Sequence, residues 1–376
     1  MAWFIGLMSG TSLDGVDGVL AWAPEGGLAA SKPALASRAH AHRALGNGLR
    51  AELLALNRSG SDELHRAALA ANGLMAVYAE VVAELLARAG LAASDIVALG
   101  AHGQTVRHRP GEFDCLGYTC QLMNGALLAE RTDIDVVCDF RSRDLAAGGQ
   151  GAPLVPAFHA GCFARAGVCV AVLNLGGIAN LTVLGPAGEV LGFDCGPGNM
   201  LMDLWCQRHR GQAYDEGGRW AAGGRVDEGL LNSLLQEPYF ARLPPKSTGR
   251  DLFDAAWLQQ RLGVSKHSAQ DVMATLTELS ARTVVNDLHR HAPDCTELLV
   301  CGGGAFNAHL MARLAALLGA EVRVRSTAAV GLPPDQVEAM AFAWLARAHV
   351  SRQAGNLPVV TGAAGPRVLG ALYPAA

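Results

Sequence analysis

Three short glycine turns carry the residues best suited to hold an anion. They are Ser9-Gly10-Thr11-Ser12-Leu13-Asp14-Gly15 with Val16-Asp17 behind it, Gly176-Gly177, and Gly302-Gly303-Gly304. A glycine turn lets backbone N–H groups approach a phosphate with no Cβ in the way. The first turn adds hydroxyls from Ser9, Thr11 and Ser12, and carboxylates from Asp14 and Asp17. Carboxylates beside a polyphosphate repel it unless a cation lies between, so Asp14 is assigned to Mg2+, directly or through water. The same residues also read as a plain hairpin turn, because Asp-Gly is a common hairpin signal. One such turn is ordinary turn chemistry; three, spread over both halves of the chain, fit a nucleotide clamped between two domains.

A fourth constellation is Gly192-Phe193-Asp194-Cys195-Gly196-Pro197-Gly198-Asn199. Here Asp194 closes a short apolar strand and precedes a rigid turn, where a general base would be placed. Strand-end aspartates also cap turns and helices, and that reading stays open beside the catalytic one. His102, Gln104 and Thr105 follow another strand end and are candidates to meet a sugar or to satisfy local backbone. The loop Lys246-Ser247-Thr248-Gly249-Arg250 is cationic, suited either to an anion or to solvent. Glu338 lies on an otherwise apolar helix, and an inward Glu there needs a partner.

Common alternatives lack their residues. A P-loop requires Gly-Lys-Ser/Thr, and none of the chain's three lysines, Lys32, Lys246 and Lys266, follows a glycine. No G-x-G-x-x-G follows a strand, and neither H-E-x-x-H nor G-x-S-x-G occurs.

The positioning elements follow from periodicity. Apolar runs at 3–8, 16–22, 95–100, 134–139, 168–173, 178–184 and 297–301 predict strands. Helical spacing appears over 52–88, with a break near 57–62, and again at 154–162, 200–208, 307–318 and 334–348. A strand, a glycine turn and a second strand open the chain and recur after Arg165-Ala166-Gly167. This restart predicts duplicated α/β domains. The expected boundaries are 1–165, 166–350 and a C-terminal segment, 351–376, that packs back on the first domain.

Composition sets the class. The chain has 376 residues, 51% hydrophobic and 17% charged, enough for two domains with substantial cores. A net charge of −4 argues against nucleic acid or an anionic membrane as partner. Nine scattered cysteines without a C-x-x-C pair read as buried free thiols in a reducing cytosol. No signal-peptide pattern opens the chain, and the alanine-rich runs are interrupted by charge, so a membrane span is not expected and a cytoplasmic location is. The sequence leaves the oligomeric state open, a homodimer included.

At this point the motifs resemble a known family. Gly6 to Asp17, Ala101 to Thr105, Asp139-Phe140-Arg141, Gly148 to Pro156, Asn174 to Asn180, Phe193 to Asn199, Pro245 to Arg250 and Cys301 to Asn307 are similar to motifs of the anhydro-N-acetylmuramic acid kinases. The resemblance covers essentially the whole chain. It implies two duplicated actin-like (ribonuclease H-like) domains with ATP in an interdomain cleft. Gly10 to Asp17 and Gly176-Gly177 would be the phosphate loops and Gly302 to Gly304 the adenosine loop. The implied cofactors are ATP and Mg2+, and the implied reaction opens 1,6-anhydro-N-acetylmuramic acid with water while phosphorylating O6. By the same resemblance Asp194 is the catalytic aspartate. His102, Gln104, Thr105 and Glu338 are candidate substrate residues, and Arg141, Arg143 and Arg250 are each suited to the lactyl carboxylate, because arginine makes bidentate carboxylate contacts. The competing readings are an ordinary hydroxyl kinase of the same fold and a non-catalytic sugar-binding regulator.

Overall fold

Apolar residues fill both faces of the opening strand, and the strands around it follow suit. The computed structural model describes residues 2–10, 12–23, 35–249, 252–263 and 267–376. Thr11 and Arg250 therefore lie outside the described residues, as do Lys32 and Lys266. The chain divides into two units, 1–162 with 336–376, and 163–335.

In the first unit β1 (Ala2–Met8), β2 (Gly15–Ala23) and β3 (Ala36–Ala44) form an antiparallel meander. On the other side of β1, β4 (Ile96–Ala101) runs parallel to it. A separate hairpin of β5 (Gln104–Pro110) and β6 (Gly117–Leu122) follows. Strand β7 (Val136–Cys138) lies parallel to β4, and the C-terminal strand Ala371–Tyr373 closes the sheet antiparallel to β7. The C-terminal segment thus belongs to the first unit.

The second unit repeats the order. Strands β8 (Val170–Leu175), β9 (Ile178–Leu184) and β10 (Val190–Pro197) form the meander. Strands β11 (Glu297–Cys301) and β12 (Arg323–Ser326) add in parallel on the far side of β8. Both sheets therefore place the third, second and first strands beside two later parallel strands. This is the duplicated actin-like (ribonuclease H-like) α/β architecture.

The helix Glu63–Ala89 buries Ala70, Leu74, Tyr78, Val81 and Leu85 at spacings of three and four residues against the first unit's core. At 27 residues it is long and apolar enough to cross a bilayer, which corrects the expectation that no segment is. Burial of one face on the sheet explains its composition. In the second unit the corresponding long helix is Ala269–His291, almost wholly buried and not anticipated from periodicity. Its buried positions include Thr275, Thr277, Glu278, Ser280, Thr283 and Asp287, and polar residues in the interior blur the apolar period.

The second expected boundary moves. The helix Val337–Val350, expected in the second domain, packs on β1 and β4 of the first unit. Two glycines admit it: a Cβ at Gly6 would lie 1.8 Å from the Ala339 carbonyl oxygen, and one at Gly100 would lie 2.1 Å from that of Phe342. Among the cysteines Cys115 is exposed, Cys120 and Cys162 are half-buried, and the other six are buried free thiols.

The Gly100→Ala variant should lose about 1–3 kcal/mol, the cost of overpacking a tight backbone contact. Thermal unfolding should show a midpoint lowered by several degrees, and an unchanged midpoint would show that the helix accommodates a methyl group.

Candidate active site

Each unit assembles its own polar cluster around glycine turns. In the first, β1 and β2 are joined by a turn closed by the Leu13 N–H on the Gly10 carbonyl at 3.2 Å, with Leu13 at φ 56°. Ser9 is turned inward: its Oγ donates to the Gly103 carbonyl at 3.0 Å and accepts from the Tyr78 hydroxyl at 2.9 Å. Ser12 Oγ donates to Asp14 Oδ1 at 2.7 Å, and the Gly15 N–H donates to the same oxygen at 3.0 Å. These two bonds hold the Asp14 carboxylate in place within the turn.

Asp17 sits one strand register further on, opposite Met8. Its Oδ1 accepts from His40 Nε2 at 3.1 Å and from His42 Nδ1 at 3.0 Å, both on β3. These histidines were not singled out in the sequence, because only strand pairing brings them across from Asp17. Gly10 and Val16 keep their places at the turn and at the start of β2.

The segment after β4 reaches the same turn. Gln104 Nε2 donates to the Gly10 carbonyl at 3.2 Å, and the His102 N–H donates to the Leu7 carbonyl at 3.0 Å. His102 Nε2 accepts from Arg141 at 3.0 Å, so the ring's proton resides on Nδ1. Burial, reinforced by the neighbouring Arg141 charge, lowers the His102 pKa to about 3, and the ring is neutral. His102 Nδ1 and Gln104 Oε1 are both buried and have no hydrogen-bond partner among the described residues. Thr105 turns away, its hydroxyl accepting from Gln121 at 3.2 Å within the β5–β6 hairpin.

Arg141 itself is held between His102 and the Gly151 carbonyl, 2.8 Å from Nη1. Burial lowers its pKa to about 10, opposed by the charges of Glu338 and Asp144. Glu338 thus belongs to the first unit and lies within the electrostatic reach of Arg141. A residue that sequence reasoning missed organises this region: Asp144, fully buried. Its oxygens accept from the Gly151 N–H at 2.8 Å, Asn356 Nδ2 at 2.7 Å and Thr361 Oγ1 at 2.8 Å. One carboxylate therefore ties the glycine-rich 148–151 stretch to the C-terminal segment.

In the second unit two of the glycine turns and the Asp194 turn converge. The Gly198 N–H donates to the Gly177 carbonyl at 2.9 Å and the Asn199 N–H to that of Gly176 at 2.8 Å. A Cβ at Gly198 would lie 2.4 Å from the Gly176 oxygen, so only glycine permits this approach. Asn199 Nδ2 donates to the Leu175 carbonyl at 2.9 Å. Gly302, at φ 78°, packs so closely on this turn that a Cβ would stand 2.4 Å from Asn174 Oδ1. Gly303 and Gly304 begin the 3-10 turn that leads to the helix Ala308–Leu318.

Asp194 does not end its strand as the sequence suggested. It lies within β10, beside a register irregularity between Asp194 and Gly196. Neither cap reading describes it. Its N–H donates to the Lys246 carbonyl at 3.1 Å, its carbonyl accepts from the Tyr239 hydroxyl at 2.8 Å, and Oδ2 accepts from the Thr248 N–H at 3.0 Å. Oδ1 accepts no hydrogen bond among the described residues. Burial raises the Asp194 pKa to about 6, against the opposing pull of the Thr248 N–H and the Lys246 charge. The loop 246–249 is accordingly no solvated cationic loop: Lys246 is buried, and the backbone around it grips Asp194.

The comparisons agree with these motifs. The model of the family described as anhydro-N-acetylmuramic acid kinase matches residues 2–375. The chain belongs to that family. The anhydro-N-acetylmuramic acid kinase of Variovorax paradoxus is 61% identical over 378 residues, covering 99% of each chain. That of Bordetella petrii is 60% identical over 376 residues, covering 99% of this chain and 96% of its own. Among solved structures, the ADPNP-bound activator of the 2-hydroxyisocaproyl-CoA dehydratase from Clostridium difficile aligns with 93% of this chain and 97% of its own, at 14% identity and a TM-score of 0.46. Family membership makes the chain an enzyme of the carbohydrate kinase class, acting on a small sugar.

Removing the Asp144 carboxylate strands several buried donors, each worth about 1–3 kcal/mol when unsatisfied. Asp144→Ala should therefore lower the urea midpoint markedly and open 148–151 to limited proteolysis. Wild-type resistance at that stretch would show that other contacts hold it.

Proposed function

We propose that this chain converts 1,6-anhydro-N-acetylmuramic acid, ATP and water into N-acetylmuramic acid 6-phosphate and ADP, with Asp194 as the general base, in cytoplasmic recycling of the cell wall. The observation that carries the proposal is the Asp194 carboxylate. It is oriented through Oδ2 by the Thr248 N–H, leaves Oδ1 without a hydrogen bond among the described residues, and has its pKa raised to about 6. A carboxylate near that value is ionised at neutral pH yet basic enough to take a proton in a transition state.

The anhydro bridge leaves no free O6 hydroxyl to phosphorylate. Asp194 takes a proton from water as the water oxygen bonds to C1 and the C1–O6 bond breaks. O6 then bonds to the γ-phosphorus as the bond to the ADP oxygen breaks, and the proton on Asp194 passes to solvent. The Gly10 to Asp17 turn and Gly176-Gly177 supply phosphate-binding N–H groups, and Gly302 to Gly304 the adenosine contact, as the family resemblance implies. The buried Nδ1–H of His102 and Oε1 of Gln104, a donor and an acceptor without partners among the described residues, suit a sugar hydroxyl or amide.

Asp14 is the residue that would hold Mg2+. No cluster of three or more His, Cys, Asp or Glu side chains able to hold a metal occurs among the described residues. A single carboxylate, prealigned by Ser12 and Gly15, suits an ion that keeps most of its shell as water and phosphate oxygen. When bound, the ion neutralises charge on the transferring phosphoryl group.

Three outcomes test the reading. In 18O-water the product should carry 18O at C1 when sampled before anomeric exchange, whereas an ordinary hydroxyl kinase leaves C1 unlabelled. Asp194→Asn should abolish turnover with ATP affinity nearly intact; retained turnover removes Asp194 from the mechanism. Because the base must be ionised, kcat/KM should fall about tenfold per unit as pH drops below about 6, and a flat profile down to pH 5 would contradict it.

A further inference from the structure

Behind Asp194 lies a second charged group that phosphoryl transfer does not call on. Lys246 Nζ donates to both oxygens of Asp287, at 3.0 Å and 2.8 Å. Both side chains are buried, at 1% and 5% exposure, which makes this a desolvated pair and not a surface one. The ammonium also stands 5.4 Å from the ring centroids of Phe193 and Tyr239. The first ring is the residue before the proposed base, and the second belongs to the tyrosine whose hydroxyl binds the base's carbonyl. Two residues along from Lys246, Thr248 supplies the only hydrogen bond to the Asp194 carboxylate among the described residues.

We infer that the Lys246–Asp287 ion pair is the positioning device for Asp194, anchoring the backbone that grips it and supplying the positive charge that keeps it ionised; the inference rests on Asp194 being the base. Asp287 fixes the ammonium from the helix Ala269–His291. That restrains the loop, because the Lys246 carbonyl belongs to the anchored residue and the Thr248 N–H lies two residues beyond it. A buried ion pair is a poor way to gain stability, since desolvation offsets most of its attraction, so its placement here is better explained by what it does to its neighbour.

The other groups facing this spot do not supply the charge. Burial pushes the Cys195 thiol and the Tyr239 hydroxyl up, so both are neutral. His291, 3.9 Å from Asp287, has its pKa lowered by burial. Arg290 faces a cavity of about 280 Å3 that Asp287 and Cys195 also line, and Arg242 lies over the Tyr239 ring. Lys246 is the cation whose charge lowers the pKa of Asp194, against burial.

The deciding experiment is the pH profile of kcat/KM in Lys246→Met/Asp287→Leu, which replaces the pair with apolar side chains of similar volume. Such replacements are commonly neutral or stabilising, so the protein should fold. The acid limb should move up by about one pH unit, because the cation and the Thr248 hydrogen bond weaken together. Activity should recover towards wild type above that limb, with ATP affinity unchanged, and Lys246→Arg should restore the wild-type limb. An unmoved limb, or a loss uniform across pH, overturns the inference. If the double variant is insoluble, Lys246→Gln/Asp287→Asn, which keeps a hydrogen-bonded but uncharged pair, is read in the same way. A wild-type profile with no acid limb would instead refute Asp194 as the base.

Discussion

The role proposed for Asp194 asks for a carboxylate that is shielded from water and still charged, and the contacts around it bear on both demands. Burial raises the Asp194 pKa, and exposure would leave it with the weaker basicity of a free carboxylate. The compromise comes from one backbone N–H and one buried cation, both delivered by the 246–248 loop. Tyr239, Phe193 and Asp287 each touch either Asp194 or the lysine behind it.

Close backbone approach is the companion constraint. Gly198 and Gly302 let three segments meet at the Gly176-Gly177 turn with spacings that no Cβ allows. In the first unit Gly6 and Gly100 do the same for a helix, which brings Glu338 and Phe342 to the region of Arg141 and His102. The His102 ring, 4.8 Å from that of Phe342 and capped by a guanidinium, has no way to take up a proton near neutrality. It serves as a fixed neutral dipole.

Much of this was legible in the residues. Strands before each glycine turn, the restart near residue 168 and the helices that follow glycine turns could be read because apolar periodicity and turn chemistry are local properties. The helix Ala269–His291 could not, because polar residues such as Thr277, Glu278 and Asp287 sit among its buried positions and blur the apolar period. Nor could the destination of 337–350, whose affinity for the first unit depends on two glycines more than two hundred residues away. Asp144 looked like any polar residue near a glycine-rich stretch until Asn356 and Thr361 met it.

The sequence by itself determined the α/β class, the duplicated strand–turn–strand plan, the glycine turns and Asp194 as the residue to watch, since each is written in contiguous residues. Through its motifs it also determined the family. Only the tertiary structure decided which groups surround those residues. It turned Lys246 inward to Asp287, set the Thr248 N–H on the Asp194 carboxylate and gave Asp17 to His40 and His42. The physical reason is that charge, burial and hydrogen bonding act through space. A pKa is fixed by neighbours that the chain order does not disclose.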